Sequence, residues 1–216
     1  SGFNALGSIL CGDVNPSGRT IDTFVYDLTQ TPTANNFGNF NYTNMDELKA
    51  SAFGAETIPA FVDYVEGIYV GYKFYETAAA EGLIDYDKTV VYPFGRGLSY
   101  TTFTQTLNSV IDAGGTITVD VTVTNTGSAS GKEVVEVYYN PPYTNGGIEK
   151  ASANLIGFAK TSELAPGASE NVTVTFKAED MASYDTYGKG CYVLEKGDYV
   201  ISINADSHTV LDSKTY

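Results

Sequence analysis

The chain has 216 residues, a formal net charge of −14 and 43% apolar residues. This length accommodates one large domain or two ordinary ones, and the apolar content is sufficient to fill a core. The charge is evenly spread, with 5 basic and 12 acidic residues up to position 103 and 7 and 14 after it. Nucleic acids and anionic membranes attract clustered Lys or Arg, so we expect neither of them as a partner.

Several classes of reactive site have no motif in the sequence. It has no phosphate loop, no dinucleotide fingerprint and no cysteine pair at metal-ligand spacing, and His208 is the single histidine. We therefore expect no cofactor, no zinc site and no Ser–His nucleophile. Cys11 and Cys191 are interpreted as isolated buried thiols in preference to a disulfide. His208, close to the C-terminus, is interpreted as a surface residue.

The first eleven residues are predicted to form a helix. Phe3, Leu6, Ile9 and Leu10 recur at helical spacing and make one apolar stripe. Nothing before them in the sequence would cover this stripe. We therefore expect an exposed patch that promotes self-association.

The next part of the chain is predicted to be mainly loop. Residues 12–19, GDVNPSGR, contain two turn signals, Asn-Pro and Ser-Gly. Residues 29–58 are rich in Thr, Asn, Gly and Ala with little periodicity. This composition indicates a long surface loop with one helical turn around residues 46–52.

Residues 61–76 are dense in aromatic and β-branched side chains. The early part is predicted as a strand and the later part as a helical turn. Tyr69, Tyr72 and Tyr75 allow two interpretations, because they could stack on a sugar ring or form the core of a small layer. We favour the core, in which each buried hydroxyl would have a hydrogen-bond partner.

Residues 92–101, YPFGRGLSYT, divide two unlike kinds of sequence. Pro93 pushes the preceding residue towards extended geometry, and Gly95 and Gly97 permit a tight reversal. Large aromatic residues stand on both sides of these glycines. They predict a packed seam between two bodies, because a flexible linker would be polar.

After Phe103 the sequence is typical of short strands. Apolar residues alternate with polar ones or form compact β-branched runs at 117–123, 134–139, 172–176 and 199–203. Turn residues separate these stretches and no helical pattern intervenes, which predicts an antiparallel β-sandwich. The Cys–Trp–Cys core of antibody domains is missing, so a fibronectin type III-like sandwich is the closer comparison.

These stretches together resemble the C-terminal part of family 3 glycoside hydrolases, which include many β-glucosidases and β-xylosidases. Residues 12–19 resemble the loop that closes the family's α/β sandwich domain, 64–75 its aromatic segment and 92–101 its exit. The stretches that resemble the appended fibronectin-type domain are 133–138, 155–158, 164–167 and 195–199. The correspondence covers nearly the whole chain in the family's order.

The resemblance implies an α+β, mostly β fold. Residues 1–103 would be the C-terminal portion of an α/β sandwich domain, and residues 104–216 a fibronectin type III-like β-sandwich. It also implies a supporting part of an enzyme that hydrolyses β-linked glucosides or xylosides. Retaining members need two carboxyls about 5 Å apart. The family takes its nucleophilic Asp from a barrel domain and its acid/base Glu from upstream sequence, and neither has a matching position here.

We therefore predict no catalytic residue in this chain. The expected partners are the barrel domain of a parent enzyme and its β-linked oligosaccharide substrate. The candidates for substrate contact are Glu66, Tyr69 and Tyr72, although a carboxylate such as that of Glu66 often satisfies local donors instead. Two alternatives stay open: a non-catalytic carbohydrate-binding or adhesion module, and an assembly whose barrel comes from another chain. Secreted and cytoplasmic locations both stay open.

Overall fold

The computed structural model describes residues 2–36, 40–48 and 60–216. The helices in these ranges are α1 (Gly2–Leu10), α2 (Met45–Leu48), α3 (Tyr72–Ala80) and α4 (Tyr86–Thr89). The strands before the sandwich are β1 (Phe24–Val25), β2 (Phe40–Asn41), β3 (Ala60–Phe61) and β4 (Val90–Tyr92). The strands that follow are β5 (Phe103–Asp112), β6 (Thr116–Asn125), β7 (Val134–Asn140), β8 (Asn154–Lys160), β9 (Ser169–Lys177), β10 (Ser183–Tyr184), β11 (Tyr192–Val193), β12 (Val200–Asn204) and β13 (Val210–Thr215). Short 3₁₀ turns lie at Leu28–Gln30, Pro32–Asn36 and Ala178–Met181.

The second half of the chain is a two-sheet antiparallel sandwich. One sheet has the order β5-β6-β9 and the other β13-β12-β7-β8. The predicted strands at 117–123, 134–139, 172–176 and 199–203 are confirmed as β6, β7, β9 and β12. The chain is mostly β, as predicted.

The core lies between these two sheets and follows from the alternation in the sequence. In β6 the residues at 117, 119, 121 and 123 are completely buried, while their neighbours face outwards. Strand pleating sends successive side chains to opposite faces, so every second residue of β6 enters the core. The fully buried residues of the other strands include Val135, Val137, Ile201 and Ile203, and Met181 follows in a 3₁₀ turn.

The part before the sandwich carries a small second core. Tyr75 of α3, Tyr86 of α4 and Val90 of β4 are buried against one another. The interpretation of Tyr75 as a core residue is therefore confirmed. Strand β1 pairs with β4 beside this cluster, and β2 pairs with β3.

The predicted helix at residues 1–11 is confirmed as α1. No residue of α1 is buried, and Phe3, Leu6 and Leu10 expose 86%, 51% and 74% of their surface. In the predicted loop at 29–58, the described residues include two 3₁₀ turns, β2 and α2. The helix α2 overlaps the start of the predicted turn at 46–52, and residues 49–52 lie outside the described residues.

The interpretation of the cysteines as buried is wrong. Cys11 and Cys191 are free thiols, and both are exposed. Each lies at a surface turn, one after the last residue of α1 and the other in the loop between β10 and β11. In the described ranges, no helix has the length and apolarity needed to cross a bilayer, and no cluster of His, Cys, Asp and Glu could hold a metal.

Candidate functional site

We define the seam as the contact surface between residues 2–100 and the sandwich. Two of the loops singled out in the sequence, 12–19 and 92–101, run side by side there. The Thr20 N–H donates to the Arg96 carbonyl at 2.8 Å, and the Gly95 N–H donates to the Thr20 carbonyl at 2.9 Å. These backbone bonds make the two loops one structural unit.

Asn15 connects this unit to the sandwich. Its Nδ2 donates to the Ser130 carbonyl at 2.8 Å, while its Oδ1 accepts from the Tyr100 N–H at 2.9 Å and the Ser99 hydroxyl at 3.0 Å. Gly131 lies against the same amide, and a Cβ at that position would overlap Nδ2. One side chain therefore holds both loops against the turn after β6.

Arg19 makes the second connection. Its guanidinium forms an ion pair with Glu133, and the two side chains expose only 16% and 12% of their surface. A Cβ at Gly97 would overlap this guanidinium. The absence of a side chain at Gly97 therefore leaves room for the Arg19 side chain to reach Glu133. Removing one member of so enclosed a pair would leave the other charge poorly solvated.

Glu136 of β7 is buried under the same loop. It is 4% exposed and accepts a hydrogen bond of 2.8 Å from the Tyr138 hydroxyl. Gly95 has a φ of +83° and covers the carboxylate so closely that any Cβ would overlap it. Burial raises the pKa of Glu136 to about 7, while the Tyr138 hydrogen bond and the charge of Arg19 oppose the rise.

Glu76 of α3 is the centre of a third connection. Its carboxylate is 8% exposed and accepts from the Tyr86 hydroxyl at 2.7 Å and from the Ser207 hydroxyl at 3.0 Å. The other carboxylate oxygen lies 2.8 Å from Nδ1 of His208. Burial raises the pKa of Glu76, and hydrogen bonds from these neighbours oppose the rise.

His208 stacks on Tyr86, with ring centroids 3.6 Å apart and planes within 7°. Its side chain is 42% exposed, so the prediction of a surface residue is confirmed. The sequence showed nothing of its bond to Glu76, because the two residues are far apart along the chain. Ser207 donates to Glu76 and not to His208, so the group forms a hydrogen-bonded network and not a nucleophile–base pair.

The three predicted contact residues occupy different environments. Tyr72 lies inside the seam, where its ring stacks on Phe94 at 4.8 Å and meets the ring of Tyr138 edge-on at 6.0 Å. Its hydroxyl accepts from the Leu155 N–H at 2.9 Å. The described neighbours of Tyr72 are thus those of a packing residue that joins α3 to the sandwich.

Glu66 and Tyr69 lie in the turn before α3. Glu66 is half-buried and accepts from Nδ2 of Asn36 at 2.7 Å. Tyr69 is half-buried beside an open cleft of about 330 Å³ that Tyr143 also lines, and burial raises the pKa of its hydroxyl. Contact of Glu66, Tyr69 and Tyr72 with a sugar stays a prediction.

Comparison with known proteins connects these features to one family. Residues 133–207 match the model of the fibronectin type III-like domain. The chain is 39% identical over 213 residues to β-glucosidase A of Butyrivibrio fibrisolvens, covering 90% of this chain and 23% of that protein.

Solved structures give the same result. β-Glucosidase 3B of Thermotoga neapolitana superimposes with a TM-score of 0.78 at 34% identity, over 98% of this chain and 26% of that one. The family 3 β-glucosidase of Bifidobacterium adolescentis gives 0.78 at 29% identity, over 99% and 27%. The chain thus spans about a quarter of the length of these relatives. Over nearly its whole length it matches the C-terminal part of family 3 glycoside hydrolases, with a fibronectin type III-like sandwich.

Proposed function

We propose that this chain is the supporting part of an enzyme that hydrolyses β-linked glucosides or xylosides. In this proposal a barrel domain supplies the nucleophile, other sequence of the parent supplies the acid/base, and residues 1–216 hold the active-site domain in place. The observation that carries the proposal is the seam, where polar side chains of both parts meet in buried contacts.

The chemistry of the seam suits a rigid support. Glu76 and Arg19 bind partners on the sandwich, and Gly95 covers the buried carboxylate of Glu136 from the other side of the seam. Separating the two parts would leave several of these groups without partners, and each loss costs about 1–3 kcal/mol. The two parts therefore move as one body. Catalysis benefits from such rigidity, because misplacing a reacting group by about 1 Å can cost about a hundredfold in rate.

The relatives favour glucosides among the possible substrates. The Butyrivibrio and Thermotoga proteins are both named β-glucosidases, and a structure of the Thermotoga enzyme contains glucose. Xylosides stay within the proposal, because the loops that determine sugar specificity would surround the active-site pocket. Sequence outside this chain would complete that pocket.

Complementation tests this function. The chain is mixed with a polypeptide that carries the family's barrel and the preceding part of the α/β domain, and hydrolysis of aryl β-glucosides and β-xylosides is followed. We expect the mixture to hydrolyse at least one of them. The Arg19→Ala chain should recover less activity than wild type. Lys88→Ala is the matched control, since Lys88 pairs with Asp85 on the open surface.

Two results would contradict the proposal. One is failure of well-folded components to give any turnover. The other is equal recovery by the Arg19→Ala and Lys88→Ala chains, which would mean that the seam does not support the active site.

A further inference from the structure

An open cleft of about 660 Å³ lies at the end of the sandwich that carries the β10–β11 hairpin. Its walls are the hairpin, the chain at 193–196 that leads to β12, and the loop at 146–149 between β7 and β8. We propose that this cleft binds a β-linked oligosaccharide. The class of sugar rests on the proposed function, whereas the site itself rests on the geometry of the cleft.

The hairpin loop fixes the backbone around Tyr187 while leaving this residue 92% exposed. The Asp185 carboxylate accepts from the N–H groups of Gly188 and Lys189, each at 2.8 Å. The Gly190 N–H donates to the Asp185 carbonyl at 2.9 Å. A Cβ at Gly188 would overlap the Asp185 carboxylate, so this loop geometry depends on glycine.

Such a loop exposes its aromatic ring on the surface before any ligand binds. Keeping a large apolar ring in water gives up the burial energy that folding normally gains. A loop backbone fixed before binding loses less conformational freedom when a ligand arrives. The geometry around Tyr187 is therefore that of a contact residue and not of a core residue.

Two further tyrosines extend this aromatic surface. Tyr184 and Tyr192 face each other across the hairpin with their rings edge to face at 5.3 Å, and they are 48% and 74% exposed. The Tyr184 hydroxyl donates to the Gly190 carbonyl at 3.1 Å, which ties the ring to the loop that carries Tyr187. Tyrosine rings combine an apolar face with a polar edge, as the C–H faces and hydroxyls of a pyranose require.

The opposite wall is also fixed. Lys150, after the loop at 146–149, forms an ion pair with Glu195, which lines the cleft. Gly197 packs against Pro142 so closely that a Cβ would lie 2.8 Å from the proline ring. These contacts hold the two loops together, so the cleft exists before any ligand enters.

The local charge favours a neutral ligand. The charged residues that line the cleft are Glu149, Asp185, Lys189, Glu195 and Lys196, and Lys150 stands behind Glu195. The charges of these three acids and three lysines cancel, so the cleft is locally neutral although the whole chain has a net charge of −14. A strongly basic or acidic ligand would find no complementary field here. The volume and concave form of the cleft suit a small ligand better than they suit the flat surface of a protein partner.

Titration of the whole chain with oligosaccharides tests the site. Amide chemical shifts of isotopically labelled protein are followed with a β-1,4-linked glucan hexasaccharide, a β-1,4-linked xylan hexasaccharide and an α-1,4-linked glucan hexasaccharide. We expect one of the β-linked sugars to shift the amides of Gly188 and Gly190, and the α-linked sugar to bind more weakly.

Four variants identify the residues that bind. Tyr187→Ala and Tyr184→Ala should weaken binding about tenfold, since each removes one aromatic contact. Tyr187→Phe should keep affinity within about threefold, because the ring is retained. Tyr26→Ala is the matched control, since Tyr26 is 69% exposed elsewhere on the chain, and it should bind like wild type. Thermal melting of each variant shows that it is folded.

The possible failures are distinguishable. The absence of saturable binding up to millimolar sugar overturns the inference, as does equal affinity of Tyr187→Ala and Tyr26→Ala. Shifts at Gly188 caused by the barrel polypeptide and not by sugar also overturn it, because the hairpin would then be a protein contact. None of these results affects the complementation test of the proposed function, which measures recovered hydrolysis.

Discussion

The burial of the Glu136 carboxylate depends on a loop that is distant in the sequence. The alternation around β7 predicts a strand, but it does not predict that an acid within it is buried. The structure supplies the reason, since Gly95 covers the carboxylate and Tyr138 donates a hydrogen bond to it. Gly95 was predicted only as a turn residue, and its positive φ confirms that role. Its contact with Glu136 could not be read from the sequence.

The stability of the chain should therefore fall as the pH rises through the pKa of Glu136. Burial raises this pKa from its ordinary 4.5 to about 7. The neutral acid is the form favoured in the folded state, so its contribution is complete below about pH 4.5 and is lost as the pH passes about 7. A tenfold change in the protonation equilibrium equals about 1.4 kcal/mol, so the whole effect is at most about 3.5 kcal/mol.

Glu136→Gln removes this titration. We expect its free energy of unfolding, relative to wild type, to increase by up to about 3 kcal/mol between pH 5 and pH 8, as measured by urea unfolding. Glu163→Gln, at an exposed position, is the control and should show no such trend. A difference between Glu136→Gln and wild type that is the same at both pH values would show that the buried carboxyl does not titrate in this range.

At the level of elements, Glu76 fastens helix α3 to the sandwich beside the contact that Tyr72 makes. Glu76 projects from α3 and accepts from Tyr86 of α4 and from Ser207, which follows β12. His208 completes the group. Two separate pieces of chain thus share one acceptor on α3, and the loss of that acceptor would leave the Tyr86 and Ser207 hydroxyls without this partner.

Glu76→Ala should accordingly destabilise the chain by about 2–4 kcal/mol. Urea unfolding at pH 7 measures this difference. Glu81→Ala, at the exposed C-terminal end of the same helix, should change stability by less than about 0.5 kcal/mol. Similar small effects for both variants would mean that water replaces Glu76 as the acceptor. The network would then not stabilise the packing of α3 on the sandwich.

The elements themselves were largely predictable, whereas their contacts were not. Strands β6, β9 and β12 follow from period-two alternation, and α1 follows from its apolar stripe, because both patterns are local. The β10–β11 hairpin was not predicted, since two-residue strands have no measurable period. The candidates Glu66, Tyr69 and Tyr72 follow from a local cluster of aromatic residues, whereas only the fold brings Glu76 and His208 together.

On the scale of the molecule, the sandwich has a closed core of its own. Its buried residues, from Leu107 to Ile203, pack against one another across the two sheets. The predicted boundary at 104 cuts into β5, which begins at Phe103, and Thr101 donates to Asn125 at 2.7 Å. That residues 104–216 form an independent domain stays a prediction.

A piece that begins at residue 101 should unfold cooperatively in urea with a midpoint close to that of the sandwich in the whole chain. The piece 104–216 should be less stable, since it lacks the Thr101–Asn125 bond. Unfolding of the longer piece without a cooperative transition would show that the sandwich needs the seam in order to fold.

The exposed stripe of α1 should make the isolated chain self-associate. Phe3, Leu6 and Leu10 together present a continuous apolar face. Sedimentation velocity should show a species larger than the monomer that grows with protein concentration. The double variant Phe3→Ser and Leu10→Ser should reduce it, while Tyr26→Ala should not. A pure monomer at millimolar concentration would contradict this expectation.

The decisive measurement on the whole molecule is hydrolysis by the isolated chain. Purified residues 1–216 are incubated with aryl β-glucosides and β-xylosides, beside a complete family 3 β-glucosidase as the positive control. Because the proposed function places both catalytic carboxyls in other sequence, we expect no release of aryl alcohol above the uncatalysed rate. A turnover rate within the ordinary enzymatic range, about 1–10³ s⁻¹, would show instead that this chain carries its own catalytic residues.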